Sequence, residues 1–390
     1  MAETASADIP QFTPVNLITG FLGSGKTTLL KRMLASPALA DTAVLINEFG
    51  EVGLDHELLE QIDDNTVLLQ SGCLCCTIRG DLADAIRHLD SRRARGDIPA
   101  YKRLVIESTG LADPLPILTT VTAEPVLRHH YRLGLVVTTV DAVNGMLHLD
   151  RQPESRKQVA VADRLVLTKT DLGADAATRD LIGRLRRINP TAPLVLGAEP
   201  DLDVGGLMGH DLFDLASKTR EVAQWFEHEL EDWRQDHGHS HHDDHDHGHH
   251  DHHAGRSPAG HHAHGERQAH AERHDPNRHG DDIRAFAMVF DEQIDWTSFG
   301  LWLSLLLHRH GESILRVKGL LSIEGEPAPV AVHGVQQLVH APTHLERWPT
   351  PDRRTRLVFI GRNVDEAMVR RSFAAFVLGR KAGAAETAKL

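Results

Sequence analysis

The feature that most narrows the possible folds is the run Gly20-Phe-Leu-Gly-Ser-Gly-Lys-Thr-Thr28. From Gly20 to Thr27 it fits the pattern Gly-x-x-x-x-Gly-Lys-Thr. It follows an aliphatic stretch, Val15 to Thr19, that reads as a strand, and it opens a mixed stretch, Lys26 to Ala35, that reads as a helix. In such a unit the glycines let backbone N–H groups curl around a β-phosphate, and the helix N-terminus adds partial positive charge. Gly20, Gly23, Ser24, Gly25, Lys26, Thr27 and Thr28 are therefore the expected phosphate-binding residues. Lys26 is placed to reach the β- and γ-phosphates, and the Thr27 hydroxyl to ligate Mg²⁺. The implied ligand is a nucleoside triphosphate.

Around this loop, short β-branched or aliphatic runs alternate with longer mixed segments up to about Leu196, the pattern of strands and crossover helices in a parallel sheet. Strands are expected at Val15–Thr19, Ala43–Asn47, Thr66–Gln70, Arg103–Glu107, Leu135–Val140, Arg164–Thr168 and Pro193–Leu196. Helices are expected at Lys26–Ala35, Gly80–Asp90, Ala174–Ile188 and, leading out of the domain, Trp225–Trp233. The fold class is α/β: a P-loop NTPase domain with a mainly parallel sheet over 13–235, after a flexible N-terminus at 1–12. Residues 236–282 are dominated by His, Asp and Gly, with too little apolar surface to offset the entropy of ordering, and read as a disordered linker. A small α+β domain then spans 283–380, before a flexible tail at 381–390. Its strands are expected at Ile283–Phe290, Ile314–Ile323, Val330–Val335 and Thr355–Ile360, and its helices at Thr297–His310 and Asp365–Phe376.

A second acidic strand end is needed to hold Mg²⁺ or its water, and Leu104-Val-Ile-Glu107-Ser-Thr-Gly110 supplies it. Glu107 takes the metal-side role, and with Lys26 and Thr27 makes up the expected catalytic set. The Gly110 N–H can be donated to a γ-phosphate, which makes the segment through Pro114 responsive to hydrolysis. Base choice rests on Thr168-Lys169-Thr170-Asp171, at the end of another strand. A carboxylate such as Asp171 accepts hydrogen bonds from both N1–H and the 2-amino group of guanine, a donor pair adenine lacks. Thr168 stands where many GTPases carry Asn. GTP is thus the expected nucleotide, and GTP hydrolysis the expected reaction. A P-loop kinase acting on a small molecule is disfavoured by the guanine-selective carboxylate and by the lack of an obvious acceptor-binding lid.

All three cysteines lie in Cys73-Leu-Cys75-Cys76, so they form no disulfide framework. Three soft thiols within four residues suit Zn²⁺, Cu(I) or a similar ion better than Mg²⁺ or Ca²⁺. Core packing and a redox pair are the alternative uses. Glu48, Glu51 and His56 are candidate fourth ligands, as are a partner protein or a water. A site completed by a carboxylate, or left open, exchanges metal more readily than a closed four-thiolate site. The cluster lies between the phosphate loop and Glu107, the chain interval in which GTPases carry switch segments, so its geometry can depend on the γ-phosphate.

Charge and composition narrow the partners. The formal net charge of −13, from 42 Lys plus Arg against 55 Asp plus Glu, argues against nucleic acid. The region from Met1 to Phe12 lacks the basic start and apolar run of a secretory signal, and no apolar stretch approaches the ~20 residues needed to cross a bilayer, so a cytoplasmic location without membrane contact is expected. Of the 28 histidines, 16 lie between His237 and His279, among ten acidic residues and four arginines from Asp236 to Asp282. Such a tract binds divalent transition metals in many interchangeable ways, suiting capture or buffering, and does not specify which metal.

In this order, Gly20–Thr28, Asn47–Asp55, Gly72–Cys76, Glu107–Gly110 and Thr168–Asp171, followed by a His-rich linker and a small C-terminal domain, resemble the CobW-type metallochaperone GTPases over about residues 13–380. The resemblance implies a slow GTPase that delivers zinc, or Co²⁺, Ni²⁺ or Fe²⁺, to a metal-dependent client protein. It implies metal at Cys73, Cys75 and Cys76, phosphate and Mg²⁺ at Lys26 and Thr27, and guanine at Lys169 and Asp171. Some members serve instead in cobalamin synthesis or metallocentre maturation, and a metal-storage role for the His tract is the other alternative. Some members also carry an acid before the Asn of Asn47-Glu-Phe-Gly50, where this chain has Ile46. The C-terminal domain resembles a module for client contact or nucleotide-dependent docking. The oligomeric state stays open.

Overall fold

The computed structural model describes residues 12–46, 67–70, 78–199, 202–208 and 282–379. Seven strands form the first sheet: β1 (Thr13–Gly20), β2 (Thr42–Ile46), β3 (Val67–Gln70), β4 (Arg103–Glu107), β5 (Tyr131–Asp141), β6 (Arg164–Thr168) and β7 (Leu194–Leu196). They run parallel in the order β3-β2-β4-β1-β5-β6-β7. The order reverses at β1, which lies between β4 and β5, and open parallel sheets bind ligands beyond the carboxyl ends of the strands at such a point. Register fixes which residues share that edge: Ile18 pairs with Glu107, Gly20 with Thr139, Ile46 with both Glu107 and Gln70, and Asp141 with Thr168.

The strands are apolar on both faces because helices cover both. In β4, Leu104 and Ile106 point into one core and Val105 into the other; in β6, Leu165 and Leu167 oppose Val166. Helix α1 (Lys26–Leu34) lays Leu29, Leu30, Met33 and Leu34 on the Val105 and Val166 side. The other face receives α2 (Ile78–Arg95), α3 (Pro114–Ala123), α6 (Pro153–Val161) and α7 (Asp175–Ile188), the short helices α4 (Leu127–His130) and α5 (Gly145–Arg151) linking them. A further short helix, α8 (Val204–Met208), packs Leu207 and Met208 on the α1 side. Strand β5 begins at Tyr131, four residues before the expected start. The alternation is broken there by Gly134 and by a bulge between Val15 and Leu17, where Asn16 Oδ1 accepts from the Leu135 N–H at 2.8 Å.

The second sheet is antiparallel: β8 (Ile283–Phe290), β9 (Ile314–Leu321), β10 (Val330–Val335), β11 (Leu338–Val339), β12 (Thr343–His344) and β13 (Thr355–Arg362). Its order is β11-β10-β9-β13-β8, with β12 also on β10. Helices α9 (Trp296–His310) and α10 (Glu366–Phe373) cover one face with an aromatic core in which Trp302 meets Phe359 and Phe373 edge-on. The expected closing helix to Phe376 divides instead: α10 ends at Phe373 and widens into a π turn over Ala374–Leu378. From the other face, Leu315, Val335 and Ile360 join the core of the nucleotide-side sheet, so the two sheets share apolar packing.

Strand β9 reads Ile-Leu-Arg-Val-Lys-Gly-Leu-Leu, which period-two patterning would place with Arg316 and Lys318 toward water. Both are 1% exposed. They face the seam between the sheets, where Arg316 donates to the Val161 carbonyl and to Asp163 Oδ1, and Lys318 Nζ lies 3.6 Å from the same carboxylate. The second oxygen of Asp163 accepts from the Val136 N–H at 3.0 Å. Burial alone would push the Asp163 carboxyl up, but Arg316 and Lys318 hold it below the usual carboxylate range.

Candidate nucleotide site

The phosphate loop turns sharply out of β1 at Gly20 (φ 142°), where a Cβ would lie 2.4 Å from the Thr139 carbonyl oxygen. The turn is closed by the Ser24 N–H to the Phe21 carbonyl at 3.1 Å, and tied to β5 by the Ser24 and Thr139 hydroxyls at 2.7 Å. Gly25, left-handed at φ 85°, caps α1, whose first turn carries no acidic side chain. The helix therefore presents its unsatisfied N–H groups and its partial positive charge to the loop without a competing carboxylate. Lys26 Nζ rests on the Phe21 carbonyl at 3.3 Å.

A cleft of ≈ 350 Å³ opens over this loop, lined by Gly23, Gly25, Lys26, Thr27 and Thr28 on one side and by Glu107–Gly110 and Lys169 on the other. The cleft thus gathers most of the residues expected from the loop, with Glu107, Gly110 and Lys169, whereas Gly20, Ser24, Thr168 and Asp171 are not among its lining residues. The Thr27 hydroxyl donates to Glu107 Oε1 at 2.8 Å. Two hard oxygens side by side at the mouth of a phosphate cradle fit Mg²⁺, which takes few protein ligands and shares its shell with phosphate and water. Glu107 is buried at 4% exposure, held by the pairing of β4 between β1 and β2.

The segment after Glu107 runs directly against the loop. The Ser108 N–H bonds the Ile18 carbonyl at 2.9 Å, and a Cβ on Gly110 would come within 2.5 Å of the Leu22 backbone nitrogen. Only glycine permits that approach. Asp113 then caps α3 through the Leu115 N–H at 3.1 Å, with Pro114 at the first helical position.

At the other end of the cleft, Thr168 Oγ1 donates to the Ser24 carbonyl at 2.8 Å and lies 3.2 Å from the Val140 carbonyl. Thr168 therefore ties the phosphate loop to the strand ends next to it. Lys169, at φ 56°, binds Asp141 Oδ2 at 2.8 Å. Desolvation would push the Asp141 carboxyl up, but the Lys169 bond and the Val143 and Asn144 N–H groups hold it low. Asp171 stands exposed beyond this pair. Asp141 itself went unnoticed in the sequence, where a single Asp closing an apolar run carries no spacing signal.

The cysteine motif Cys73, Cys75 and Cys76, the candidate ligands Glu48, Glu51 and His56, the Trp225–Trp233 helix and the histidine tract all lie outside the described residues. Among the described residues no group of three or more His, Cys, Asp or Glu is arranged to hold a metal ion, and no helix is long and apolar enough to cross a membrane.

A glycine loop between the central strand and its helix, an acid one strand away and a Lys-x-Asp turn after β6 define a P-loop nucleotide-binding protein, here joined to an antiparallel-sheet domain. The chain belongs to the CobW family: residues 14–196 match the CobW/HypB/UreG nucleotide-binding domain, and residues 283–377 the cobalamin synthesis protein cobW C-terminal domain. It is 32% identical to the zinc chaperone YjiA of Escherichia coli, over 92% of this chain and 97% of that one. It is 30% identical to the zinc chaperone CobW of Pseudomonas aeruginosa, over 94% and 93% of the two chains. The crystal structure of the Zn(II)-bound YjiA GTPase from E. coli superposes with a TM-score of 0.62 at 28% identity, covering 94% of this chain and 99% of that one.

Proposed function

We propose that this protein is a GTP-hydrolysing metallochaperone that binds zinc as cargo and releases it to a client protein under nucleotide control. Lys26 and the N-terminus of α1 neutralise the phosphates, and Thr27 and Glu107 hold Mg²⁺, which when bound supplies charge to the β- and γ-phosphate oxygens. Gly110 offers its N–H to the γ-phosphate, so that hydrolysis frees the segment 110–113 from the loop. Lys169 and Asp171 select guanine. Relatives named as zinc chaperones support the choice of cargo.

The observation that carries the coupling of nucleotide to metal is one of register. Gln70, the last residue of β3, is aligned with Ile46, which is aligned with Glu107. Two strand spacings of ~4.8 Å put Gln70 roughly 10 Å from Glu107 along the carboxyl edge. Cys73 follows Gln70 by three residues in the sequence. This closeness in sequence to the strand edge that carries Glu107 supports coupling of the motif to the nucleotide. Thiolates at 73, 75 and 76, with a fourth ligand such as Glu51, make the cargo site.

Replacing Cys73, Cys75 and Cys76 together with Ser tests the assignment by zinc competition titration in the full chain. Stoichiometric tight zinc binding should be lost, or left only as weak binding by the histidine tract, while GTP affinity stays within about twofold. Retention of one tight site in that variant would remove the cysteines from the cargo site.

A further inference from the structure

Helix α6 touches both the segment after β4 and the C-terminal sheet. On the cleft side, Gln158 is fully buried and its Nε2 donates to the Gly110 and Ala112 carbonyls, each at 3.1 Å. The neighbouring Lys157 pairs with Asp113. On the other side, Arg156 lies 3.2 Å from Asp282, the residue before β8, and Val161 and Asp163 receive Arg316 of β9. The helix is also fixed along its length: its Gln158 carbonyl accepts from the Thr138 hydroxyl at 2.9 Å, and Asn189 Nδ2 binds the Val159 and Ala162 carbonyls at 2.9 Å.

A buried amide is unfavourable unless it makes hydrogen bonds, and a Leu would fill the same space. Here the donor atom of Gln158 is committed to two carbonyls of one irregular segment, the segment that Gly110 presses against the phosphate loop. Its Oε1 is buried with no hydrogen-bond partner among the described residues. That leaves an acceptor for an N–H of the same segment when it shifts. The helix spans nine residues, about 13 Å at 1.5 Å per residue, so it joins the two ends as one stiff element.

We infer that Gln158 is a positioning residue for GTP hydrolysis and that α6 transmits the position of Gly110–Ala112 to the C-terminal sheet. The inference rests on the reading of that segment as the γ-phosphate sensor. Gln158 acts through the Gly110 and Ala112 carbonyls and touches no phosphate itself. When the segment is drawn onto the nucleotide, α6 follows through Gln158 and Lys157, and the load arrives at β9 through Val161, Asp163 and Arg316. The C-terminal domain is thereby informed of the nucleotide state without contacting the nucleotide.

The test is hydrogen exchange of the full chain with a non-hydrolysable GTP analogue and with GDP, in the native protein and in Gln158→Met. In the native protein, exchange should differ between nucleotides both at 110–112 and at Ile314–Leu321. In Gln158→Met the first difference should persist and the second collapse, while the KM for GTP stays within about twofold and kcat falls about tenfold. Lys157→Ala, at a part-buried position that threatens folding less than the fully buried Gln158, should shrink the β9 difference without abolishing it. A β9 difference undiminished in both variants, or absent from the native protein while 110–112 responds, would overturn the coupling. No response at 110–112 in the native protein would instead overturn the sensor reading, and the coupling with it.

Discussion

Two carboxylates in this molecule are equally hidden from water, Glu107 and Asp163 at 4% exposure each, and they are built for opposite ends. Glu107 sits at the carboxyl end of β4, receives a neutral hydroxyl from Thr27 and lines the cleft. Asp163 sits before β6 at the far edge of the same sheet, enclosed by Arg316, Lys318 and a backbone N–H. Glu107, proposed here for a metal, lines the cleft in which an ion and phosphate would sit. A carboxylate meant to join two domains is neutralised by the protein itself, so that no ligand is required for its burial. The same side-chain chemistry thus separates into a working charge and a structural one by what surrounds it.

The sharpest way to break the comparison is to remove the counter-charge in the seam. Arg316→Ala leaves Asp163 buried with Lys318, at 3.6 Å, as its remaining ion-pair partner among the described residues. Loss of one partner of a buried pair costs about 3–5 kcal/mol. The unfolding midpoint should drop by roughly 10 °C, with exchange protection lost first along β9, while GTP affinity at the cleft is nearly unchanged. A midpoint within about 2 °C of the native value would show that the apolar contacts of Leu315, Val335 and Ile360 hold the seam by themselves.

The complementary variant, Glu107→Gln, keeps size and burial and removes the charge. Turnover should fall about a hundredfold, equivalent to ~2.7 kcal/mol, with the unfolding midpoint close to native. A fall in stability to match the fall in rate would mean that Glu107 is structural, as Asp163 is, and the contrast between them would vanish. Titrating Mg²⁺ against turnover sharpens the result, because loss of the proposed metal-side ligand should raise the Mg²⁺ requirement.

The half of this comparison that serves the nucleotide was legible in the sequence, and the half that serves the seam was not. Gly20, Gly25, Lys26 and Thr27 are recognisable because a phosphate demands them at fixed spacing within one strand-turn-helix unit. Glu107 follows because a strand ending in an acid is a local pattern. Asp163 and Arg316 are 153 residues apart in the chain, and nothing local marks either as a partner. In β9 the alternation of Arg316, Val317 and Lys318 was even misleading, since it reads as one wet face where the structure has a second protein layer. Gln158 escaped for the same reason: its importance comes from the Gly110 and Ala112 carbonyls, which only the tertiary fold brings within 3.1 Å. The cysteine run is the reverse case: Cys73, Cys75 and Cys76 are plain in the sequence as a candidate metal motif and lie outside the described residues.

The smallest expected effect is the one that titration should produce in the native seam. The folded Asp163 carboxyl is held below its ordinary value by Arg316 and Lys318, with the positive field of His340 acting in the same direction. A depressed acid contributes stability that is fully present above the unfolded value of ~3.9 and is lost only as pH falls through the folded value beneath it. Denaturant midpoints monitored on β9 should therefore owe no slope to Asp163 between pH 8 and 5, a change within about 0.5 kcal/mol. Replacing both Arg316 and Lys318 with Met reverses the sign. Burial, the largest influence, is then opposed only by the Val136 N–H and the His340 charge and raises the carboxyl, so the folded state binds a proton that the unfolded state releases, and stability declines as pH rises from 4 to 7. A native profile that already declined with rising pH over that range would mean that the two cations do not neutralise Asp163, and that the seam carries an uncompensated charge.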